Sequence, residues 1–475
     1  MLFTSGTYYI FLIAVFFVYW AVAWRIRLRI VFLLSASCFF YAMAGGRALL
    51  LLVAISAIDF TTTRWMVRCD DQRRRRRLLF ISLTMDIGAL CLFKYANFFI
   101  QSASGGLSLV GLAIPDSRLS LVAPIGISFF IFQSLAYVID VYRKDTEPAG
   151  SYADYLAFVS FFPTIVAGPI LRAKQLLPQL RARLMLDSTT GGQALFLIAI
   201  GLIKKIAIAD YLSANLVERV FDFPERFSSL EVLAAVYGYA LQIYADFSGY
   251  SDIAIGSAML LGFTLPVNFN APYRAMDLPD FWRRWHISLS TWLRDYVFFA
   301  IAAPRARNTT VLYGGLVVTM LVGGLWHGPA WTFVLWGLLH GLGLVAVRAW
   351  ASFRKRYGLA KRNSGWSRFA SVLITFHFVC FAWIFFRAET VERAIAVLSQ
   401  LLTFTVDTSN LALPLLLIIA VGFIAHRMPD SWFEVARNGF VRLPAPVQAC
   451  VLFVMALGLY FVASSDVVPF IYSRF

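Results

Sequence analysis

The chain has 475 residues, of which 60% are hydrophobic and only 14% charged, with a mean hydropathy of +0.72. A water-soluble protein carries about a quarter charged residues, so the composition excludes an ordinary soluble fold and points to lipid as the main solvent. The formal net charge of +16 does not indicate nucleic-acid binding, because the basic residues lie in short segments between apolar runs, the densest being the five arginines at 73–77.

Apolar runs at 8–24, 30–44, 48–58, 78–93 and 121–142 approach or reach the ~20 residues that a helix needs to cross a bilayer. Similar runs follow at 193–212, 231–247, 311–326, 330–349, 369–386, 411–426 and 447–463. The pattern predicts an all-α polytopic membrane protein with about 11–12 crossings, organised as one integral-membrane domain over 1–475 with its core at about 120–350. The first run precedes Arg25, Arg27 and Arg29 and follows no basic residue. That is the reverse of a cleavable signal peptide, and it predicts a retained helix. Basic and nearly neutral loops then alternate, placing the N-terminus outside and the five-arginine loop in the cytoplasm. The five cysteines are scattered, with no CxxC pair, so neither a disulfide framework nor a zinc site is suggested.

Two apolar segments conflict with this alternation. Residues 155–170 have basic residues on both sides and contain Pro163, Gly168 and Pro169, which predicts a re-entrant or interfacial segment whose freed backbone groups must be met by protein or water. The same reasoning applies to 251–267. Two dipping elements around a basic cytoplasmic face suggest a cavity, and the absence of a visible internal repeat weighs against transporters built from duplicated halves.

Ionisable groups at bilayer depth cost about 2.5–3.5 kcal/mol each on insertion scales, so each is a functional candidate. Lys204 and Lys205 interrupt an apolar run that continues to Asp210; they either snorkel to the interface or form a cationic patch for a phosphate-bearing substrate. In "YADFSGYSDIAIG" Asp246 and Tyr250 share one helical face, with Ser248 and Asp252 on another, which suits a polar chamber lining better than a metal site. No metal is expected. The stretch 280–298 mixes Trp282, Trp285 and Trp292 with Arg283, Arg284 and Arg294. It reads as an amphipathic helix on the cytoplasmic leaflet, with His286 available to the chamber floor. His377 and His426 read as packing or interfacial residues. His340 would lie about 140° from His327 on an ideal helix.

His327 is the leading candidate. Arg305 and Arg307 precede it and Arg348, Arg354, Lys355 and Arg356 follow, so 311–349 should leave the cytoplasm and return, turning at "WHGP". Imidazole suits proton transfer near neutral pH, and burial keeps the ring neutral and able to act as a base. A histidine here either does this chemistry or caps the turn.

The motifs "PIGISFFIFQSLAYVIDVYR" (124–143), "FFPTIVAGPILRA" (161–173), "GLIKKIAIAD" (201–210), "QIYADFSGYSDIAIG" (242–256), "FWRRWHISLSTWLRDYVF" (281–298), "LWHGPAWTFVLWGLLHG" (325–341) and "PFIYSRF" (469–475) resemble, in order, the bacterial alginate O-acetyltransferase-like branch of the membrane-bound O-acyltransferases (MBOAT). The resemblance implies that family's helical fold around a central funnel, and an acetyltransferase in the bacterial inner membrane with His327 as catalytic residue. It implies His286 as the accompanying upstream position, with Trp326, Asp246 and Tyr250 as supporting candidates. Acetyl-CoA is the implied donor substrate rather than a bound cofactor, its phosphates meeting Lys204, Lys205, Arg283 and Arg284. The implied partners are a periplasmic SGNH-hydrolase-like protein and the polysaccharide synthesis and export machinery. Two competing readings are a teichoic-acid-type D-alanyl transferase of the same family and a polysaccharide or lipid transporter without acyl chemistry.

Overall fold

A computed structural model describes residues 3–43, 45–112, 119–121, 123–305, 307–359 and 364–463. The motif at 469–475 lies outside the described residues. Among them every regular element is helical, as lipid demands of a chain whose backbone groups must pair within their own segment.

The chain divides into two compact units, residues 1–195 with 254–266 and residues 196–253 with 267–475. The first holds α1 (Gly6–Val22), α2 (Ile26–Ala42), α3 (Gly46–Arg68), α4 (Gln72–Leu90), α5 (Ala96–Ser108), α6 (Ile127–Arg143), α7 (Tyr152–Val159) and α8 (Ala173–Arg181). Helix α9 (Ser188–Leu202) begins in the first unit and ends in the second. The second unit holds α10 (Glu218–Asp222), most of α11 (Ser229–Leu260), the short α12 (Leu278–Arg284), α13 (Ile287–Trp292) and α14 (Phe299–Ala302), then α15 (Thr309–His327), α16 (Trp331–Arg356), α17 (Gly365–Arg387), α18 (Val391–Leu401), α19 (Leu413–Arg427), α20 (Asp430–Arg442) and α21 (Ala445–Val462).

Six helical segments among the described residues are long and apolar enough to cross a membrane: α3, α4 continued into α5, α15, α16, α17 and α21. A seventh results if α19 and α20, bent by 96°, count as one span. Other apolar runs fold as shorter helices, including α1, α2 and α6 with 17 residues each. The chain is therefore a multi-pass, all-α membrane protein.

Within the first unit, the segment 155–170 behaves as its prolines and glycine suggest. Helix α7 stops after 8 residues, and Phe161, Phe162, Ile165 and Ala167 then run non-helically in complete burial. Protein meets the freed backbone: the Phe162 N–H donates to Ser37 Oγ at 3.2 Å. Arg29, expected only as a flanking charge, is buried and donates to the Leu180 and Ala182 carbonyls, both at 2.7 Å, at the end of α8. A cation is favoured there by the unpaired carbonyls of a helix C-terminus.

The expectation for 251–267 is corrected. Residues 251–260 are the last turns of α11, a continuous 32-residue helix about 48 Å long, and only 263–269 run extended. The glycines of α11, Gly238, Gly249 and Gly256, do not interrupt it, because an isolated glycine costs a helix only about 1 kcal/mol.

Candidate active site

The second unit brings the two histidine motifs together. Asn308 caps α15 by accepting the Val311 N–H, and the helix ends at His327 because Pro329 disfavours the helical conformation at Gly328, which is extended at φ −168°, ψ 158°. The chain reverses and α16 returns antiparallel. Glycines set the spacing of this hairpin. A Cβ on Gly324 would lie 2.2 Å from the Phe333 carbonyl oxygen, and one on Gly337 would lie 2.4 Å from that of Met320. The backbones touch where side chains would otherwise stand, and His327 sits at the closed end.

His327 is buried among aromatic rings: Trp326 at 4.9 Å between centroids, Trp336 at 5.0 Å and Phe386 of α17 at 5.0 Å. Trp326 also meets His286, at 5.6 Å, so its indole bridges the two imidazoles. The turn between α15 and α16 corrects the single-helix separation of His327 and His340. His340, fully buried, packs on the same Trp336 at 4.8 Å.

His286 occupies the break between α12 and α13 with a left-handed backbone, φ 40°, ψ 57°. Its Nδ1 lies 3.2 Å from Asn268 Oδ1, which also accepts the Ser288 backbone N–H at 3.1 Å and the Ser288 hydroxyl at 2.9 Å. The backbone donor identifies that atom as oxygen, so His286 Nδ1 carries a hydrogen and donates it, and Nε2 holds the ring's lone pair. The Ile287 N–H donates to the Asn268 carbonyl at 2.9 Å, clamping the same break. Burial pushes the His286 pKa down to about 3, which keeps the imidazole neutral. Phe247 of α11 packs against its ring at 4.5 Å.

Asp246 and Tyr250 engage Lys205. The α9 helix widens into a π segment at Ile203–Asp210, whose i to i+5 register lets Lys205 Nζ reach Asp210 at 2.6 Å. The same ammonium lies 2.6 Å from Asp246 and 5.6 Å from the Tyr250 ring centroid. Lys204 pairs with Asp252, also at 2.6 Å. The close crossing is made by Gly201 and Gly249, where a Cβ on either would lie 2.6–2.7 Å from the other's carbonyl oxygen. The two lysines thus face three aspartates, and Lys205 is buried. Arg283 is exposed beside Asp280, at 3.4 Å, and Arg284 lies 3.1 Å from the same carboxylate. His377 and His426 have structural partners, Tyr237 at 2.9 Å and the Tyr273 N–H at 3.0 Å.

Asn268 and Trp336 escaped sequence reasoning. Asn268 lies 18 residues before His286 in "PVNFNAPYR", with no periodicity to mark it; Trp336 is one tryptophan among 13.

The sequence profile described as "MBOAT, membrane-bound O-acyltransferase family" matches residues 149–388, which contain every residue of this site. The chain belongs to the membrane-bound O-acyltransferase family. This acyltransferase is 34% identical over 393 residues to a peptidoglycan O-acetyltransferase of Helicobacter pylori, covering 77% of this chain and 72% of that one. It is 38% identical over 387 residues to a "Probable alginate O-acetylase" of Azotobacter vinelandii, covering 80% and 73%. A teichoic acid D-alanyltransferase of Streptococcus thermophilus is more distant, 28% identical over 293 residues, with 56% and 69% covered.

Proposed function

We propose that this MBOAT protein transfers an acetyl group from acetyl-CoA, supplied on the cytoplasmic side, to a hydroxyl acceptor that carries it toward an exported polysaccharide, with His327 as general base. The observation that carries the reading is the Trp326 contact joining His327 to His286, whose Nδ1–H is tied to Asn268. A neutral imidazole in an aromatic, water-poor pocket suits proton abstraction from a hydroxyl.

In the proposed reaction His327 takes the acceptor hydroxyl's proton as that oxygen bonds to the thioester carbonyl carbon. The tetrahedral intermediate collapses with cleavage of the carbon–sulfur bond, and the imidazolium returns the proton to the departing thiolate. Proton count and charge balance. An acyl-imidazole intermediate is the other route through the same residue. Arg283, exposed, suits the donor phosphates better than Lys204 and Lys205, whose charges aspartates already balance. The bacterial inner membrane, a periplasmic N-terminus and an SGNH-hydrolase-like partner complete the proposal. Similarity favours acetyl over D-alanyl transfer, since the relatives named for O-acetylation are 34–38% identical and the D-alanyltransferase 28%.

The test is transfer of radiolabelled acetyl from acetyl-CoA by purified protein in nanodiscs, with and without the periplasmic partner. His327→Ala is expected to lose about 10²–10⁴-fold in rate, the usual contribution of a general base, while staying folded. Unchanged transfer would make "WHGP" a structural turn, and no transfer by the parent protein would reject acetyl-CoA as donor.

A further inference from the structure

The second unit also holds a cavity of about 310 Å³ walled by α11, α17 and α19. Its apolar sides are Leu373, Phe376 and Phe423, with the two phenylalanine rings 5.5 Å apart. His377 lines it too and is exposed, although it stands 12 residues into α17, at the middle of a 23-residue span. Its Nδ1 lies 2.7 Å from the Leu373 carbonyl, which can only accept, so Nε2 of the neutral ring accepts the Tyr237 hydroxyl at 2.9 Å. Both ring nitrogens are thus used within the protein. The cavity opens sideways at bilayer depth with a neutral, largely apolar wall.

Arg427, the last residue of α19, also lines the cavity, and its guanidinium has no carboxylate partner among the described residues. Nearby acids are already taken: Asp430 pairs with Arg274 at 3.2 Å, and Asp252 with Lys204 at 2.6 Å. Arg274, Lys204 and Arg427 all bear electrostatically on His426, which belongs to the same lining, so one positive charge is left over. Past the 96° bend, α20 exposes Trp432 and Phe433, as a helix does when it lies in the plane of the membrane interface. That places Arg427 at headgroup level and His377 in hydrocarbon.

We infer that this cavity binds one anionic phospholipid, with its phosphate on Arg427 and the upper part of an acyl chain against Leu373, Phe376 and Phe423. An arginine facing the bilayer is costly unless an anion or water meets it, and a basic pocket between membrane helices suits a lipid headgroup. A free anion would gain from Arg427 but nothing from the aromatic walls. A zwitterionic lipid would gain from the walls but would bring its own cation to Arg427. The lipid would fill the wedge between α17 and α19 and rest against Tyr273, another wall residue, whose ring stands 6.3 Å from that of Trp285, the neighbour of His286.

The test titrates the delipidated full chain in detergent with phosphatidylglycerol, with phosphatidylcholine of the same acyl chains, or with inorganic phosphate. Bound lipid is counted by native mass spectrometry and the unfolding midpoint is followed in parallel. One phosphatidylglycerol per chain is expected, with a midpoint that rises with the logarithm of its concentration and weaker binding of phosphatidylcholine. Arg427→Gln should weaken phosphatidylglycerol binding about fivefold or more, the effect of losing one basic side chain's attraction for an anionic headgroup. Arg368→Gln is the control, since it removes the same charge from an exposed position in the first turn of α17, outside the cavity lining, and should bind as the parent does. Leu373→Trp keeps every charge but fills the cavity, and it should weaken binding of both lipids. The inference is overturned if phosphatidylcholine binds as tightly as phosphatidylglycerol, if inorganic phosphate raises the midpoint as the lipid does, or if Arg427→Gln binds as the parent does.

Discussion

Gly324→Ala tests whether the spacing of α15 and α16 positions His327. The added Cβ would stand 2.2 Å from the Phe333 carbonyl oxygen and 3.3 Å from the Gly337 Cα. Both neighbours are backbone, so no rotamer relieves the overlap. Opening 2.2 Å to the 3.0 Å below which real Cβ contacts are essentially never found requires the helices to part by about 0.8 Å. Trp336 would move with α16 and His327 would stay on α15, disturbing their 5.0 Å ring contact. Misplacing a reacting group by about 1 Å can cost ~10²-fold in rate, and overpacking a tight contact costs about 1–3 kcal/mol of stability. Transfer of labelled acetyl per folded molecule, with the unfolding midpoint measured in parallel, should show a fall of ten- to a hundredfold in kcat with a smaller change in donor KM. Gly314→Ala on the same helix is the control, since a Cβ there meets nothing within 4 Å. A Gly324→Ala protein with parental rate and midpoint would refute the argument that this glycine contact places the histidine.

Other predictions follow from the pairings around the site. Asn268→Ala should lower transfer through His286, and combining it with His286→Ala should cost no more than His286→Ala alone, the non-additivity expected of two residues acting as one unit. His286 stays neutral in the fold down to a pKa of about 3, against about 6.5 unfolded. Its contribution to stability is therefore complete above pH 6.5 and lost as pH falls toward 3, at about 1.4 kcal/mol per pH unit. The acid limb of the unfolding midpoint should be shallower in His286→Asn. Asp246→Asn leaves Lys205 buried with Asp210 as its remaining aspartate partner and should cost about 1–3 kcal/mol. Lys205→Met added to it should recover part of that loss in the same thermal assay.

Sequence by itself determined the solvent and the fold class, and it singled out His327 as a candidate. Hydropathy is summed over consecutive residues, so a run such as 311–326 declares its preference for lipid without reference to the rest of the chain, and Pro163 or Pro329 breaks a helix through its own ring. His327 was legible for the same reason: a polar group in an apolar run beside a Gly-Pro turn is a local anomaly. Only tertiary structure decided which groups share charge and protons. Lys205 and Asp246 are 41 positions apart, and their pairing depends on Gly201 meeting Gly249, which neither local pattern encodes. Asn268 became the partner of His286 because a left-handed break turned that ring toward an extended segment. Asp59 and Tyr155 are 96 positions apart, and the bond between them exists only once α3 and α7 pack. Composition reports what each segment prefers; the cost of an unmatched charge or a backbone clash exists only between segments and is settled when they meet.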